Sequence, residues 1–205
     1  MNPANEQKPR LLAIAGPNGA GKTTVTERGL AHEWFAGCRY INPDFIARDE
    51  FGDWNSPDAI LKAAQLASQL REDCLANGQS MAFETVFSAP DKVEFLYRAH
   101  QQGYFIRVFF VATADPSINA SRVARRVMQG GHDVPIPKII NRYFRSIAQC
   151  VVIAPWVDRL YLYDNSIDGA EAALILRATE GKITKLYQPA PEWIAPILEV
   201  LETTP

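Results

Sequence analysis

The chain has 205 residues, 47% of them hydrophobic, with 21 Lys plus Arg against 23 Asp plus Glu and a net charge of −2. That length suits one α/β domain with a substantial buried core and leaves little for a second. The near-balanced charge gives no global electrostatic case for nucleic acid or an anionic membrane, so any basic site must be local. Three widely spaced cysteines, Cys38, Cys74 and Cys150, form no C-x-x-C pair; they read as reduced core thiols of a cytosolic protein and argue against a zinc centre.

Residues 1–9 are polar and proline-containing, without the apolar region of a signal peptide, and no stretch reaches 18 uninterrupted apolar residues. The expectation is a loose cytoplasmic tail ahead of a single domain over 10–205. A β-rich apolar run at 10–15 leads straight into Gly16-Pro17-Asn18-Gly19-Ala20-Gly21-Lys22-Thr23-Thr24. This is a complete G-x-x-x-x-G-K-[ST] motif followed by a helix-forming stretch at 23–31, the strand, loop and helix order that a phosphate-binding loop requires. Glycines free the backbone N–H groups to converge on one anion, and the helix adds its positive end. Lys22 is placed for the β- and γ-phosphates and the Thr23 hydroxyl for Mg²⁺. The chain therefore reads as a user of ATP or GTP with Mg²⁺.

Residues 39–41 form a short second strand that stops at Asn42-Pro43, a helix-start signal. A long helix capped by Ser56-Pro57-Asp58 places Ile60, Ala63, Ala64, Ala67, Leu70 and Cys74 on one face and ends at Asn77-Gly78. Then come a third strand at 80–84, a helix at about 89–102, a strongly β-forming run at 104–111, helices at about 116–129 and 137–154, and a fifth strand at 159–163. Strands separated by helices predict a parallel sheet covered on both faces, an α/β fold of the P-loop NTPase/kinase type. Beyond residue 170 the pattern changes. Residues 172–176 and 182–187 flank Glu180-Gly181 as a hairpin, and Trp193, Ile194, Ile197, Leu198 and Leu201 make a helical stripe. The region 170–205 reads as an accessory hairpin and helix packed on the core.

Ligands of parallel sheets collect at the carboxyl ends of the strands. Four of those ends are polar here: the phosphate loop, Asp44, Glu84-Thr85 and Asp164-Asn165-Ser166. Asp44, in the first turn of a helix, is the preferred general base for a substrate hydroxyl; the plainer reading makes it a partner of the helix dipole beside an Asn42 cap. Glu84 ends an apolar strand, where a carboxylate needs water, metal or a ligand hydroxyl. Two roles stay open for it, holding Mg²⁺ through water or accepting hydrogen bonds from the acceptor. Asp164 competes for the metal role, against the plainer reading of a strand-end turn residue. Arg122, Arg125 and Arg126 share a helix face beside Gly130-Gly131, and Arg142 and Arg145 follow in the next helix. They read as a lid whose guanidiniums clamp the migrating phosphoryl group on closure, against the ordinary reading of a solvated face. His132 reads as fixing that loop, without a catalytic role.

In these segments the chain resembles the zeta-toxin family of P-loop kinases, in its compact branch of small kinases. The likeness spans roughly residues 10–166. It is carried by the loop at 16–24, Ile41-Asn42-Pro43-Asp44, Phe83-Glu84-Thr85, Arg122 to Arg126 with Gly130-Gly131-His132-Asp133-Val134-Pro135, Arg142-Tyr143 with Arg145-Ser146, and Tyr163-Asp164-Asn165-Ser166. The resemblance implies ATP-dependent phosphorylation of a sugar hydroxyl of UDP-N-acetylglucosamine and neutralisation by a small antitoxin protein. It matches Asp44 to the family's catalytic aspartate, Lys22 to its loop lysine and Glu84 to its acidic group on the acceptor side. Larger members carry a histidine-proline pair soon after the aspartate, where this chain continues Phe45-Ile46-Ala47-Arg48-Asp49.

The candidate set is therefore Asp44, Lys22, Arg122 and Arg126 for catalysis, with Thr23 for the metal. Gly16, Pro17, Asn18, Gly19, Ala20, Gly21, Lys22, Thr23, Thr24 and Asn165 are assigned to the nucleotide. Asp44, Glu84, Thr85, Arg142 and Arg145 are assigned to a small hydroxylated acceptor, with a nucleotide sugar first. The alternatives are a kinase for another metabolite or an antibiotic, a non-catalytic module switched by nucleotide, and a nucleic-acid-end kinase, for which a basic groove would be the discriminator.

Overall fold

The computed structural model describes residues 8–29, 32–51, 56–131 and 133–203. In chain order the elements are β1 (Arg10–Ala15), α1 (Lys22–Gly29), β2 (Arg39–Ile41), α2 (Pro43–Phe51), α3 (Pro57–Ala76), β3 (Met81–Thr85), α4 (Pro90–Gln101) and β4 (Phe105–Ala112). There follow α5 (Pro116–Met128), α6 (Ile136–Ile153), β5 (Arg159–Asp164), β6 (Ala173–Thr179), β7 (Lys182–Leu186), α7 (Ala195–Leu198) and β8 (Glu202–Thr203). Three of these helices, α2, α3 and α5, begin at a side-chain cap. The Ser56 hydroxyl accepts the Ala59 N–H at 3.1 Å and the Asp115 carboxylate accepts the Ser117 N–H at 2.7 Å, each followed by a proline in the first turn.

Among the described residues the eight strands share one sheet in the order β2-β3-β1-β4-β5-β6-β7-β8. The first five are parallel, as expected for strands joined by helices. β1 lies between β3 and β4, so the chain leaves it toward one edge and later returns to build toward the other. A crevice opens at the carboxyl end of β1, and the glycine-rich loop lies in it. The two faces are unequal. One carries the main core, where Phe83, Phe110 and Leu162 pack with Ala67, Leu96 and Ile153 from the helices. The other carries a smaller cluster of Leu12, Ile14, Phe109 and Tyr161, with Trp34 and Phe35 from the short 3-10 turn Glu33–Phe35.

The tail hairpin packs on the core as a continuation of the sheet: β6 pairs antiparallel with β5 and β7 with β6, covering the backbone edge that β5 would otherwise expose, and Ile175, Leu176 and Ala178 are buried in the main core. Two local expectations change, neither of them in the hairpin. The apolar stripe after it is broken, with Trp193 and Ile194 in a 3-10 turn, Ile197 in α7 and Leu201 beyond, all four buried in the main core. On α3 the buried line runs through Ala59, Ala63, Ala67, Arg71 and Cys74, leaving Ala64 exposed. Arg71 joins it because its guanidinium sits 5.3 Å over the Phe83 ring, which accommodates a cation in an apolar wall. Among the described residues no helix is long and apolar enough to cross a membrane. The predicted tail before residue 8 and helix end at 30–31 lie outside the described residues.

Candidate active site

The loop after β1 threads a narrow gap. The Gly16 N–H donates to the Thr85 carbonyl at 3.2 Å, tying the loop to the end of β3. With φ at +145°, a Cβ at Gly16 would stand 2.0 Å from the Val111 carbonyl oxygen of β4, so no side chain fits between the strands. Gly21 is confined differently. Its added Cβ would lie 2.2 Å from Asn165 Nδ2, and that amide donates to the Ala20 carbonyl at 2.8 Å. On the far side the fully buried Asn119 accepts the Thr113 hydroxyl and donates to the Asn18 carbonyl at 2.6 Å. Two loop carbonyls are thus fixed by asparagines from α5 and from the end of β5.

Lys22 Nζ donates to the Pro17 carbonyl at 3.0 Å, folding the side chain back along the loop. Burial lowers its ammonium to about 8; the charges of Glu84 and Asp44 oppose that shift, and Arg126 and Arg142 reinforce it. The lysine therefore lies in the combined field of two carboxylates and two guanidiniums. Arg142 also donates to Asn18 Oδ1 at 3.1 Å, which anchors α6 to the loop.

The other half of the site is a chain of side-chain hydrogen bonds. Thr23 donates to Glu84 Oε2 at 3.2 Å, the Tyr40 hydroxyl to Glu84 Oε1 at 2.8 Å, and Asn42 Nδ2 to the Tyr40 oxygen at 3.0 Å. Asn42 Oδ1 then accepts the Asp44 N–H at 2.9 Å, capping α2. Burial, and next the Glu84 charge, push the Tyr40 hydroxyl well above its ordinary range, so it keeps its proton and serves as a donor. Asn42 supplies the cap, and Asp44 presents its carboxylate at the exposed first turn. Thr85 is buried, and its hydroxyl accepts the Phe87 N–H at 3.1 Å. Phe87 itself is buried at φ +57°, a left-handed conformation uncommon for an aromatic residue, so the turn after β3 is tightly determined.

The arginines of α5 divide. Arg122 donates from Nε to Asp168 Oδ1 at 2.8 Å and from Nη1 to the Asn165 carbonyl at 2.7 Å, and Arg125 pairs with Asp168 Oδ2 at 2.8 Å. Both grip the segment between β5 and β6, while Arg126 with Arg142 acts on Lys22. Arg122 and Arg125 border a cavity of about 550 Å³, whose other walls include Thr24, Asn165 and the rings of Trp34 and Phe109. Arg145 is exposed and outside the group of charges acting on Lys22. Asp164 is the last residue of β5 and holds the turn that follows: it accepts the Ser166 N–H and hydroxyl at 3.0 and 2.9 Å and the Trp193 indole N–H at 2.7 Å, pinning the tail to the sheet. His132 lies outside the described residues. Tyr40, Thr113, Asn119 and Asp168 were not legible as site residues.

The model of the zeta toxin family matches residues 2–154. No curated protein matches the chain by sequence. Among solved structures, one from the PezAT chromosomal toxin–antitoxin system of Streptococcus pneumoniae superposes with a TM-score of 0.65 at 13% identity, over 96% of this chain and 79% of that one. The AvrRxo1-ORF1:-ORF2 complex with ATP gives 0.64 at 17% identity, over 95% of this chain and 64% of that one. A putative kinase from Chloroflexus aurantiacus gives 0.50 at 19% identity, over 68% and 80%. These likenesses agree with the P-loop kinase-type fold, and the family match over most of the length identifies the chain as a member of the zeta toxin family.

Proposed function

We propose that the protein transfers the γ-phosphoryl group of ATP to a hydroxyl of a small acceptor, with UDP-N-acetylglucosamine the first acceptor to test. The observation that carries this reading is the position of Lys22, on a phosphate loop and under the joint influence of Asp44, Glu84, Arg126 and Arg142. A lysine and two arginines suit a triphosphate; two carboxylates beside them suit a hydroxyl that must lose a proton. Val111 and Asn165 leave no room for a Cβ at Gly16 and Gly21, which holds the loop backbone in the tight glycine-rich turn that a phosphate cradle requires. Thr23 Oγ1 and Glu84 Oε2, 3.2 Å apart, are hard oxygen donors that fit Mg²⁺. When bound, that ion neutralises charge on the β- and γ-phosphates.

In this reading Asp44 takes the proton of the acceptor hydroxyl. The freed oxygen bonds to the γ-phosphorus as the bond to the β–γ bridging oxygen breaks, and ADP departs. Lys22, Arg126 and Arg142 hold the charge that spreads over the migrating group. Arg122, fixed by Asp168 and the Asn165 carbonyl at the mouth of the cavity, serves the nucleoside end of the donor together with Asn165 and Thr24. Tyr40 and Asn42 hold Glu84 and the first turn of α2 in place, so that Glu84 and Asp44 face the same acceptor. The ATP in the AvrRxo1 complex supports the donor assignment, and the PezAT toxin–antitoxin system supports a small antitoxin as partner. A panel of sugar nucleotides, free sugars and aminoglycosides, followed by phosphorus NMR with Mg-ATP, tests it. A new phosphomonoester signal with a sugar nucleotide is expected. ATP left intact with every sugar nucleotide would remove the acceptor assignment, and failure of ATP to bind would remove the donor assignment as well.

A further inference from the structure

The smaller face of the sheet carries one basic side chain on each of five neighbouring strands: Arg10 on β1, Arg107 on β4, Arg159 on β5, Arg177 on β6 and Lys185 on β7. Register puts them on one side. Leu12 pairs with Arg107 and Arg107 with Arg159, while Tyr161 pairs with Arg177 and Arg177 with Lys185; Leu12 and Tyr161 both belong to the smaller cluster. At a strand spacing of about 4.8 Å the row spans roughly 20 Å.

The row is short of counter-charge. Among the described residues none of the five has a carboxylate within ion-pair distance, in contrast to Arg122 and Arg125 on Asp168. The Asp158 carboxylate, adjacent to Arg159, is taken by the Ile106 N–H at 2.7 Å. Arg107 Nε is buried without a hydrogen-bond partner, and burial together with the Arg159 and Arg10 charges lowers its affinity for its proton. Like charges on adjacent strands destabilise a sheet, so an anion seated there is favoured. Rings accompany the cations. The Arg107 guanidinium lies 3.8 Å from the Trp34 ring centroid, Arg159 lies 5.6 Å from Phe105, and Lys185 Nζ lies 4.6 Å from the 40%-exposed Tyr187.

We propose that this face binds single-stranded nucleic acid, its phosphodiester chain following the five-cation row and its bases resting on the neighbouring rings. A single phosphate cannot span such a row, whereas a strand neutralises one cation after another and has flat bases for the rings. The net charge of −2 is a sum over the whole sequence and does not report the charge of one face. The row runs away from β2 and β3, so a strand bound there is separate from the acceptor of the phosphoryl group, and the inference stands apart from the kinase reading.

Fluorescence anisotropy of a labelled oligothymidylate of about 20 nucleotides, titrated with the full chain at several salt concentrations, tests it. For single strands each neutralised phosphate contributes about −0.7 to the slope of log affinity against log salt, so five contacts give about −3.5 and roughly a hundredfold loss between 50 and 200 mM. The combined variant Arg159→Ala, Arg177→Ala, Lys185→Ala is expected to lower the slope by about 2 and to bind at least tenfold more weakly at 50 mM. The corresponding lysine substitutions at 159 and 177 should restore the slope, and Lys22→Ala should bind the strand as wild type does. No anisotropy change at 50 mM, a slope unaltered in the triple variant, or binding lost with Lys22→Ala would overturn the proposal. So would displacement by inorganic polyphosphate as readily as by unlabelled oligonucleotide, which would reduce the surface to a binder of phosphate chains.

Discussion

The two halves of the site are built by different means. On the donor half, the loop is positioned mostly through backbone: Gly16 to the Thr85 carbonyl, the Ala20 carbonyl to Asn165, the Asn18 carbonyl to Asn119. On the acceptor half, position depends on side chains in series, from Thr23 through Glu84, Tyr40 and Asn42 to the N–H of Asp44. Backbone fixation recurs wherever a triphosphate is held, because every nucleotide presents the same oxygens. A side-chain series can be altered at each link, so in the proposed kinase the acceptor half is where specificity would be set.

Substitutions should separate the halves. The largest effect is expected from Asp44→Asn, which removes a base and should lower the transfer rate by about 10²–10⁴, while ATP affinity measured by calorimetry stays within threefold. Near-normal turnover would return Asp44 to the role of a dipole partner. Lys22→Ala comes next, with a loss of about 10²–10³ in rate, the scale of removing one preorganised donor, and a clear loss of ATP binding. Tyr40→Phe leaves Glu84 Oε1 without its donor, with only Thr23 still donating to Oε2, and should raise the KM for the acceptor more than that for ATP, by about 10–100-fold, for a hydrogen bond to a charged group of roughly 1.5–3 kcal/mol. Equal effects on both substrates would mean that the halves are not separable in this way.

The smallest expected effect is on pH. Lys22 falls from an ordinary 10.5 to about 8 in the folded chain. Between those values the unfolded chain binds more protons at this position than the folded one, so stability without nucleotide should rise as pH rises through that window. Triphosphate binding should draw the proton back onto the ammonium. Calorimetry at pH 8.5 in buffers of different ionisation enthalpy should register proton uptake on adding ATP, and Lys22→Arg should abolish it.

The same division explains what could be read from residues alone. The loop is contiguous in sequence, the strand and helix around it follow in order, and the long helix α3 was legible from its periodicity and its Ser56 cap. The parallel strands were legible because apolar runs alternate with helices. The acceptor network was not, because Tyr40 and Glu84 meet only after β2 and β3 pair, 44 residues apart. Asp168 was hidden for a similar reason: an acidic residue in a turn gives no sign that two arginines 43 and 46 residues earlier will close on it. The tail hairpin was visible as a hairpin, yet its attachment to β5 depends on an open strand edge, a property of the whole sheet.

A crystal structure of the chain with Mg²⁺ and a non-hydrolysable ATP analogue bears most directly on the central claim, that Lys22 and Asp44 address the same phosphate from opposite sides. The predicted result is a terminal phosphate bonded by Lys22 and the loop amides, with the Asp44 carboxylate facing it across a gap wide enough for one hydroxyl. A nucleotide seated away from the loop, or an Asp44 carboxylate turned outward with the acceptor gap filled by protein, would contradict it.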